Sequence, residues 1–402
     1  MRKDSRDLAI FTGTIIKPIH EYVPLWIREL APYAPGKPIE EVERELNISA
    51  IKLASNENPL GPSPLAIEAA RKALSDSNRY PDGSGFYLRE ALARKHRLPV
   101  EQIILGGGST ELIDLTARLM LRPENTGVTS FGSFPLYYIA IRAAGAKLVE
   151  TPLRDYRFDL DAIAKALGPE ARIVFLANPN NPTGTMFTAD EFDAFLARVP
   201  SHVLVVLDEA YCDYIERADY SRSVDLVRSG RNLVVLRTFS KVYGLAGLRI
   251  GYGLGPAGLL DEINKIRGPF NTSGVAQAAA LAALEDNEHV RRSIETNKEG
   301  LARLAAGLKE LGVRCVPSAG NFILAEFGYD TEPLCEELTK RGVIVRPMRW
   351  MGFPQAIRVS AGTRAENDKF LGALAELQSS GAVGSSKKQT QPARRTETHK
   401  KG

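Results

Sequence analysis

The sequence predicts an α/β fold, with a large domain built on a mostly parallel sheet between helices and a smaller α+β domain after it. Short, almost wholly apolar runs alternate with helical patterns through the first two thirds of the chain. Runs without polar alternation are typical of strands that are buried on both faces of a parallel sheet. From about residue 288 the pattern changes to mixed strand-like and helical segments. The two patterns together indicate two layered units of different kinds.

The first fifty residues predict an arm rather than part of the sheet. Five prolines punctuate them, at Pro18, Pro24, Pro32, Pro35 and Pro38. Proline interrupts helices, so we expect an extended segment with at most short helices that packs on the small domain or on a partner chain. The apolar stretch 8–16 is interrupted by polar residues and Gly13, and no small-residue cleavage pattern follows, so we expect no signal peptide.

The remaining elements follow from the apolar runs. Residues 51–287 are predicted to form the large domain, 288–378 the small domain and 379–402 a disordered tail. The predicted strands of the large domain are 102–105, 127–129, 172–177, 203–207 and 233–237. The small domain is predicted to contain helices at 288–311, 331–341 and 365–377 and strands at 321–326, 343–346 and 356–359.

The basic charge of the chain is concentrated in its tail. The 402 residues include 52 Lys and Arg against 48 Asp and Glu, a net charge of +4. Residues 379–402 carry six basic residues and one acid, which leaves −1 for residues 1–378. The tail is rich in Ser, Gly, Gln and Thr, a composition typical of disorder. A nearly neutral body without a basic aromatic stripe argues against a nucleic-acid partner.

Cysteine and histidine usage narrows the class further. Three scattered cysteines are too few for a disulfide framework, and the five histidines show no ligand spacing. We therefore expect a reducing, cytoplasmic setting and no metal. No apolar run is long enough to span a bilayer, so we expect no membrane partner.

Four predicted strands are followed directly by residues suited to ligand binding, at the carboxyl ends where open parallel sheets bind ligands. Residues 106–110 (GGGST) open a helix and suit an anion such as phosphate, although a tight turn explains them about as well. Residues 178–184 (NPNNPTG) place two asparagines between prolines, or form a loop made rigid by proline. Asp208 ends an apolar strand, where a surface-turn acid is the alternative. Lys241 follows another strand, where a solvated loop lysine is the alternative.

Taken together, these four segments match the needs of pyridoxal phosphate. That cofactor requires a lysine for covalent attachment, an acid for its ring nitrogen and donors for its phosphate. A buried lysine with a lowered pKa is also a usable nucleophile.

At these residues the chain resembles the fold-type I pyridoxal-phosphate aminotransferases, and within them the histidinol-phosphate aminotransferase family. The similarity runs over residues 24–367 and implies a large sheet of the seven-stranded type. Its most specific stretches are 53–61 (LASNENPLG), 79–81 (RYP), 178–184 (NPNNPTG), 208–211 (DEAY), 238–251 (TFSKVYGLAGLRIG), 269–271 (PFN) and 357–363 (IRVSAGT).

The resemblance implies roles for the residues around the cofactor ring. Lys241 matches the Schiff-base lysine, which moves a proton between the substrate carbon and the cofactor. Asp208 matches the acid that keeps the ring nitrogen protonated. Asn181 and Tyr211 are implied to hydrogen-bond the ring's phenolic oxygen, and Tyr137 is implied to stack on the ring.

The resemblance also implies how the phosphate and the substrate are held, and that the enzyme is a homodimer. The implied phosphate ligands are the backbone around Gly108 and Ser109, the side chains of Thr238, Ser240 and Arg249, and Tyr80 of the partner subunit. Arg358 is implied to bind the carboxylate of glutamate and the phosphate of histidinol phosphate, with Tyr33, Arg346 and Asn181 near the substrate.

The expected reaction transfers the amino group of L-histidinol phosphate to 2-oxoglutarate. Two segments depart from the family pattern, GGGST at 106–110 and NTSG at 271–274. They leave open an aromatic amino acid aminotransferase and, as a third candidate, a decarboxylase of a phosphorylated amino acid such as threonine phosphate. A ligand sensor without catalysis is disfavoured, because Lys241, Asp208 and Arg249 are all present.

Overall fold

The computed structural model describes residues 18–33 and 36–382. The apolar stretch 8–16 and all but the first four residues of the predicted tail lie outside this range. Among the residues that the structure describes, no helix is both long and apolar enough to cross a membrane.

Within the described residues, fifteen β-strands form four sheets. Their bounds are β1 (Ile51–Lys52), β2 (Ile103–Gly106), β3 (Thr126–Ser130), β4 (Lys147–Thr151), β5 (Leu153–Arg154), β6 (Arg157–Phe158), β7 (Ala171–Ala177), β8 (Leu204–Asp208), β9 (Leu233–Thr238), β10 (Gly251–Leu254), β11 (Arg314–Val316), β12 (Phe322–Glu326), β13 (Val343–Ile344), β14 (Arg346–Met348) and β15 (Phe353–Ser360).

The same residues form fourteen α-helices. Their bounds are α1 (Leu25–Arg28), α2 (Ile39–Leu46), α3 (Pro64–Ala73), α4 (Phe86–His96), α5 (Ser109–Met120), α6 (Pro135–Ala143), α7 (Leu160–Ala166), α8 (Ala189–Leu196), α9 (Ser223–Arg228), α10 (Ala257–Ile266), α11 (Gly274–Glu285), α12 (Asn287–Glu310), α13 (Glu332–Lys340) and α14 (Arg364–Ser379).

The largest sheet has seven strands in the order β2-β10-β9-β8-β7-β3-β4. Its neighbours pair in parallel, except that β10 is antiparallel to both β2 and β9. The five strands predicted from their apolar runs are β2, β3, β7, β8 and β9, and every residue of β8 is buried. The predicted fold class, a mostly parallel seven-stranded sheet among helices, is confirmed.

Helices pack on this sheet and bury its apolar side chains in a common core. Helix α5 packs against five of the strands, and the apolar side chains of sheet and helices form one continuous cluster. The N-terminal arm packs on the outside, where α1 contacts α6 and the Trp26 ring lies so close to Gly145 that a Cβ there would be 3.1 Å from it.

A second core lies on a four-stranded antiparallel sheet in the order β11-β12-β15-β14. Helices α12, α13 and α14 cover it with side chains such as Leu304, Leu334 and Phe370. Strand β1 pairs in parallel with β13, and Leu53 packs in this second core. The chain therefore passes the smaller core before it enters the large sheet, and the segment that joins them carries residues of the site described next.

Candidate active site

The ends of three neighbouring strands bring the predicted site residues to one edge of the large sheet. Strands β7, β8 and β9 are adjacent and parallel, and they end at Ala177, Asp208 and Thr238. A cavity of about 220 Å³ opens at this edge. The predicted site residues that line it are Tyr33, Ser109, Tyr137, Asn181, Asp208, Tyr211, Thr238, Ser240, Lys241 and Arg249.

Lys241 has a buried amine without an acidic partner. Its Nζ donates to the backbone carbonyls of Ser55 at 3.3 Å and Asn56 at 3.1 Å. Among the described residues no carboxylate lies within ion-pair distance of it. Burial, together with the nearby Arg358 cation, lowers the pKa of Lys241 to about 8. The lowered pKa increases the unprotonated fraction of this amine near neutral pH, which favours its use as a nucleophile.

Asp208 is buried and lines the same cavity, and each of its side-chain oxygens accepts one hydrogen bond. Oδ1 accepts from the Ala210 N–H at 3.1 Å and Oδ2 from the Tyr137 hydroxyl at 2.9 Å. Burial raises the pKa of Asp208 to about 6, against the opposing effect of these donors. Such a carboxyl gains from a cationic partner, which the protonated ring nitrogen of the cofactor would provide.

Tyr137, which the sequence predicted to stack on the cofactor ring, is one of the residues that line the cavity, and its stacking role stays a prediction. Tyr137 is fully buried, and its ring lies parallel to Phe175 at a centroid distance of 5.2 Å. Its hydroxyl donates to Asp208 Oδ2. The aromatic ring that the sequence reasoning missed is Phe134, which lines the cavity directly before α6 and meets Tyr137 edge-on. A flat ring next to Pro135 in 133–137 (SFPLY) was the available signal.

The predicted phosphate cradle is formed where β2 gives way to α5. Gly108 has φ +81°, and a Cβ at this position would lie 2.6 Å from Arg249 Nη2, so only glycine fits. Helix α5 begins at the next residue, Ser109, and its first N–H groups lack helical partners. Arg249 Nη1 lies 3.5 Å from the Ser240 hydroxyl, which accepts a hydrogen bond from Thr238 at 2.9 Å. Donors from three segments therefore surround a space suited to a phosphate group.

The two segments that depart from the family pattern are joined in the structure. Glu111 Oε2 accepts from the Gly107 N–H and from Asn271 Nδ2, both at 2.6 Å. Glu111 therefore holds the backbone at the start of the phosphate cradle, and Asn271 holds the Glu111 carboxylate in place.

Arg358 is buried between the two cores without a carboxylate. Its Nη1 donates to Asn181 Oδ1 at 2.5 Å and its Nη2 to the Ala54 carbonyl at 2.7 Å, while its Nε has no partner. No acid of the described residues forms an ion pair with it. Burial lowers the pKa of Arg358. A buried cation with an unused donor is costly, so this position favours an incoming anion.

Arg346, Tyr33 and Trp350 form a cluster beside Arg358. Arg346 pairs with Arg358 in the register of β14 and β15, and its guanidinium lies 4.9 Å from the Trp350 ring centroid. Tyr33 meets the same indole edge-on at 5.6 Å. Of these residues, Tyr33 lines the cavity and Arg346 is connected to it through the Trp350 ring, which no sequence motif indicated.

Tyr211 and Tyr80 occupy different environments. The Tyr211 hydroxyl accepts from Asn56 Nδ2 at 2.9 Å, and its ring lies under the Lys241 amine at 5.6 Å. Burial raises the pKa of Tyr211 to about 12, so its hydroxyl stays protonated. Tyr80 is 82% exposed, stacks on Phe270 at 4.6 Å and is not among the residues that line the cavity of its own chain.

Comparisons with known proteins agree with this geometry. The family model described as "Aminotransferase class I and II" matches residues 48–374. A histidinol-phosphate aminotransferase of an Anaeromyxobacter species is 49% identical over 88% of this chain and 98% of its own length. Histidinol-phosphate aminotransferase 2 of Pseudomonas fluorescens is 47% identical over 87% of this chain and 96% of its own.

The fold is also shared with solved structures. The histidinol-phosphate aminotransferase of Sinorhizobium meliloti, solved in complex with pyridoxal-5'-phosphate, superimposes with a TM-score of 0.83. It is 32% identical, and the match covers 89% of this chain and 97% of that one.

Proposed function

The chain belongs to the class I and II aminotransferase family, and we propose that it is a pyridoxal-phosphate-dependent histidinol-phosphate transaminase. The proposed reaction converts L-histidinol phosphate and 2-oxoglutarate to imidazole acetol phosphate and L-glutamate. The observation that carries it is that the unpaired Lys241 amine and the buried Asp208 carboxyl line one cavity, and that Asn181, which also lines it, accepts from the buried Arg358 that has no acid. The names of relatives 45–49% identical over most of their lengths support the choice of substrate.

The residues of the cavity fit the cofactor. The glycine cradle at 108, the start of α5, and the side chains of Thr238, Ser240 and Arg249 would hold its phosphate. Asn181 and Tyr211 would hydrogen-bond its phenolic oxygen, and Phe134 supplies a flat ring at the cavity wall. When bound, pyridoxal phosphate supplies an aldehyde that takes up the amino group and a ring that withdraws electrons from the substrate.

Two residues handle the protons of the reaction. Asp208 holds the proton at the ring nitrogen, since its buried carboxylate is stabilised by a cation in contact. Lys241, with a pKa near 8, would move a proton from the amine-bearing carbon of the substrate to the aldehyde-derived carbon of the cofactor. Its carbonyl contacts with Ser55 and Asn56 keep the amine at the centre of the cavity.

Arg358 explains how one site accepts two different substrates in turn. Histidinol phosphate presents a phosphate and glutamate a carboxylate, and a guanidinium binds both in a forked geometry. Asn181 accepts from Arg358 and fixes its orientation, and Arg346 and Tyr33 lie next to it for the remaining oxygens.

We further propose that the enzyme is a cytoplasmic homodimer. The exposed aromatic side chains Tyr80, Phe86, Tyr87 and Phe270 lie near one another in the structure and suit burial against a second copy. A tyrosine that is 82% exposed is free to reach the cofactor phosphate of the partner subunit. The three free cysteines, two of them buried, suit a reducing compartment. Small molecules and a second copy are the proposed partners, without nucleic acid or membrane.

The test is the first half-reaction, followed by stopped-flow absorbance of the bound cofactor. L-Histidinol phosphate is expected to convert the cofactor to its amine form faster than phenylalanine or tyrosine at equal concentration. Conversion by phenylalanine but not by histidinol phosphate would favour the aromatic aminotransferase instead. Release of carbon dioxide from threonine phosphate without an oxoacid would favour the decarboxylase.

A further inference from the structure

One acidic side chain in the cavity has no role in the reaction described so far. Two carboxylates line the cavity among the described residues, those of Asp208 and Glu57. Asp208 is assigned to the ring nitrogen. Glu57 lies on the joining segment after β1, in 53–61 (LASNENPLG), and 44% of its side chain is exposed. A negatively charged side chain is unexpected beside a cavity that is proposed to bind anionic substrates, because like charges repel.

The segment from Ala54 to Glu57 places three groups in a definite order. Arg358 donates to the Ala54 carbonyl, and Lys241 donates to the carbonyls of Ser55 and Asn56. Glu57 follows directly. Three residues of chain span at most about 10 Å, on the order of the length of a small amino-alcohol phosphate. Along this segment the neighbouring functional groups are therefore the Arg358 guanidinium, the Lys241 amine and the Glu57 carboxylate, in that order.

This segment is held rigidly, so its order is maintained. The Asn56 N–H donates to the Ser360 hydroxyl at 2.8 Å, and that hydroxyl donates to Asn56 Oδ1 at 3.0 Å. Asn56 Nδ2 donates to the Tyr211 hydroxyl at 2.9 Å. Asn56 also has φ 54°, a left-handed turn that asparagine tolerates and that directs the following residue. Binding groups on such a fixed segment suit discrimination between substrates.

The Glu57 carboxylate retains capacity to accept hydrogen bonds. Its Oε1 accepts from Lys52 Nζ at 3.0 Å, and no second hydrogen bond to this carboxylate occurs in residues 18–33 and 36–382. A carboxylate offers about four lone-pair sites. An imidazole ring presents an N–H donor when neutral and two when protonated, whereas a phenyl ring presents none.

We propose that Glu57 is a specificity-determining residue that accepts a hydrogen bond from the imidazole ring of the amino donor. The inference rests on the proposed function, and it names what selects the side chain of that substrate. With the phosphate at Arg358 and the amine at Lys241, the third group of histidinol phosphate lies towards Glu57. An amino alcohol phosphate with a phenyl ring loses this contact and leaves the carboxylate partly unpaired.

Two simpler roles for Glu57 make different predictions. If Glu57 only forms an ion pair with Lys52, removing either partner has the same consequence. If it only acts on the Lys241 amine through its charge, its removal changes the turnover of every amino donor equally. If Glu57 accepts a hydrogen bond from the imidazole, its removal lowers the turnover of histidinol phosphate and leaves the turnover of an amino donor without that ring unchanged.

The experiment compares kcat/KM of the holoenzyme for L-histidinol phosphate and for L-phenylalaninol phosphate, which has the same backbone and anion. It uses wild type, Glu57→Gln, Glu57→Ala and Lys52→Gln, the last breaking the same ion pair from the other side. Thermal melting and cofactor absorbance check that each variant is folded and loaded. We expect the ratio of the two kcat/KM values to fall about tenfold or more in Glu57→Ala and less in Glu57→Gln, since an amide oxygen still accepts.

The ratio is expected to stay within about twofold of wild type in Lys52→Gln. If the ratio of the kcat/KM values falls equally in Lys52→Gln, the inference is overturned. It is also overturned if the Glu57 variants lose the same factor in kcat/KM for both substrates. Either result leaves the proposed function intact. If wild type itself turns over no histidinol phosphate, the proposed function fails, and the inference fails with it.

Discussion

Two buried arginines show how the same residue serves structure in one region and binding in another. Arg237 on β9 donates from Nε and Nη2 to Glu209 Oε2, at 3.0 and 2.8 Å, and Glu209 is fully buried. Arg358 on β15 is equally enclosed but donates only to an amide and a carbonyl, with its Nε unused. The first charge is compensated within the chain. The second is left for a ligand to compensate.

The two arginines differ in whether the unfavourable burial of their charge is compensated by the protein itself. Removing a partner from a buried ion pair is strongly destabilising, whereas a buried charge without a partner is itself unfavourable. The Arg237–Glu209 pair links β9 to the end of β8, directly next to Asp208 and Thr238. Arg358 instead donates to Asn181, which lines the cavity of the proposed site. Substitutions in the two regions are therefore expected to have different consequences.

The largest effect is expected at Lys241, which belongs to the region of Arg358. Lys241→Ala is expected to reduce transamination to background, because no other described amine lines the cavity. The absorption band of the covalently bound cofactor should also disappear. Lys95→Ala is the control, since Lys95 binds the Tyr243 hydroxyl outside the cavity. Substantial turnover by Lys241→Ala contradicts the assignment.

The second prediction tests the comparison directly, with the same substitution at both arginines. Arg358→Met is expected to lower kcat/KM for histidinol phosphate about a hundredfold or more, with little loss of stability, because it removes an uncompensated charge. Arg237→Met is expected to lower the free energy of unfolding by roughly 3–5 kcal/mol, because it leaves Glu209 unpaired, with KM nearly unchanged.

Denaturant unfolding of both variants, alongside steady-state kinetics, measures these two outcomes. If Arg358→Met is the unstable variant and Arg237→Met the one with the raised KM, the division between the two regions is wrong.

Tyr137→Phe is expected to lower kcat by about tenfold, with KM changed much less. The hydroxyl of Tyr137 favours the ionised form of Asp208, so its loss raises the pKa of that carboxyl. A more basic Asp208 takes the proton from the ring nitrogen more readily, and the ring then withdraws electrons less effectively. Nitrogen-15 NMR of labelled cofactor should show the shift towards an unprotonated ring.

Tyr138→Phe is the matched control for this experiment. The Tyr138 hydroxyl is half-enclosed but bonds to the Ser130 and Ser133 carbonyls instead of Asp208. An equal change of the nitrogen signal in both variants shows that the Tyr137 hydroxyl has no particular effect on Asp208.

A smaller effect is expected in the pH dependence of cofactor attachment to the apoenzyme. Only the unprotonated Lys241 amine attacks the aldehyde, so the rate should rise with pH and level off above a midpoint near 8. The Arg358 cation contributes to the lowered pKa, so Arg358→Met raises it and moves the midpoint upwards by about 0.5–1 pH unit. Arg349→Met, which removes an exposed cation paired with Asp330, should not move it.

The smallest effect is expected from the basic tail, which lies beyond both regions. Deletion of residues 383–402 is expected to leave kcat/KM within about twofold of the full chain, because these residues lie past the family match at 48–374. A large loss of activity in the shortened enzyme shows that the tail takes part in catalysis or assembly.

The sequence predicted the large sheet well because its central strands are continuous apolar runs. Strand β4 was missed because it lies at the edge of the sheet and has only two apolar residues, Leu148 and Val149, and β10 because it contains two glycines. The motif residues Lys241, Asp208 and Asn181 were placed near one another by the rule that parallel strands end at one edge. That rule does not specify which atoms these three side chains contact.

The contacts missed from the sequence depend on side-chain direction and strand register. Phe134 and Tyr137 both line the cavity, one directly before α6 and one within it, because α6 begins at Pro135. The Arg237–Glu209 pair requires the register of β8 against β9, in which Asp208 lies opposite Leu236. The unpaired state of Arg358 follows only when every acid of the two cores has been located, which no local pattern provides.

The most direct test of the proposed function follows the amino nitrogen itself. Purified holoenzyme is mixed with L-histidinol phosphate carrying nitrogen-15 at the amine and with unlabelled 2-oxoglutarate, and the products are analysed by mass spectrometry. The account predicts labelled glutamate and imidazole acetol phosphate in equal amounts, and almost none of either with Arg358→Met. Glutamate formed readily from phenylalanine but not from labelled histidinol phosphate would contradict it.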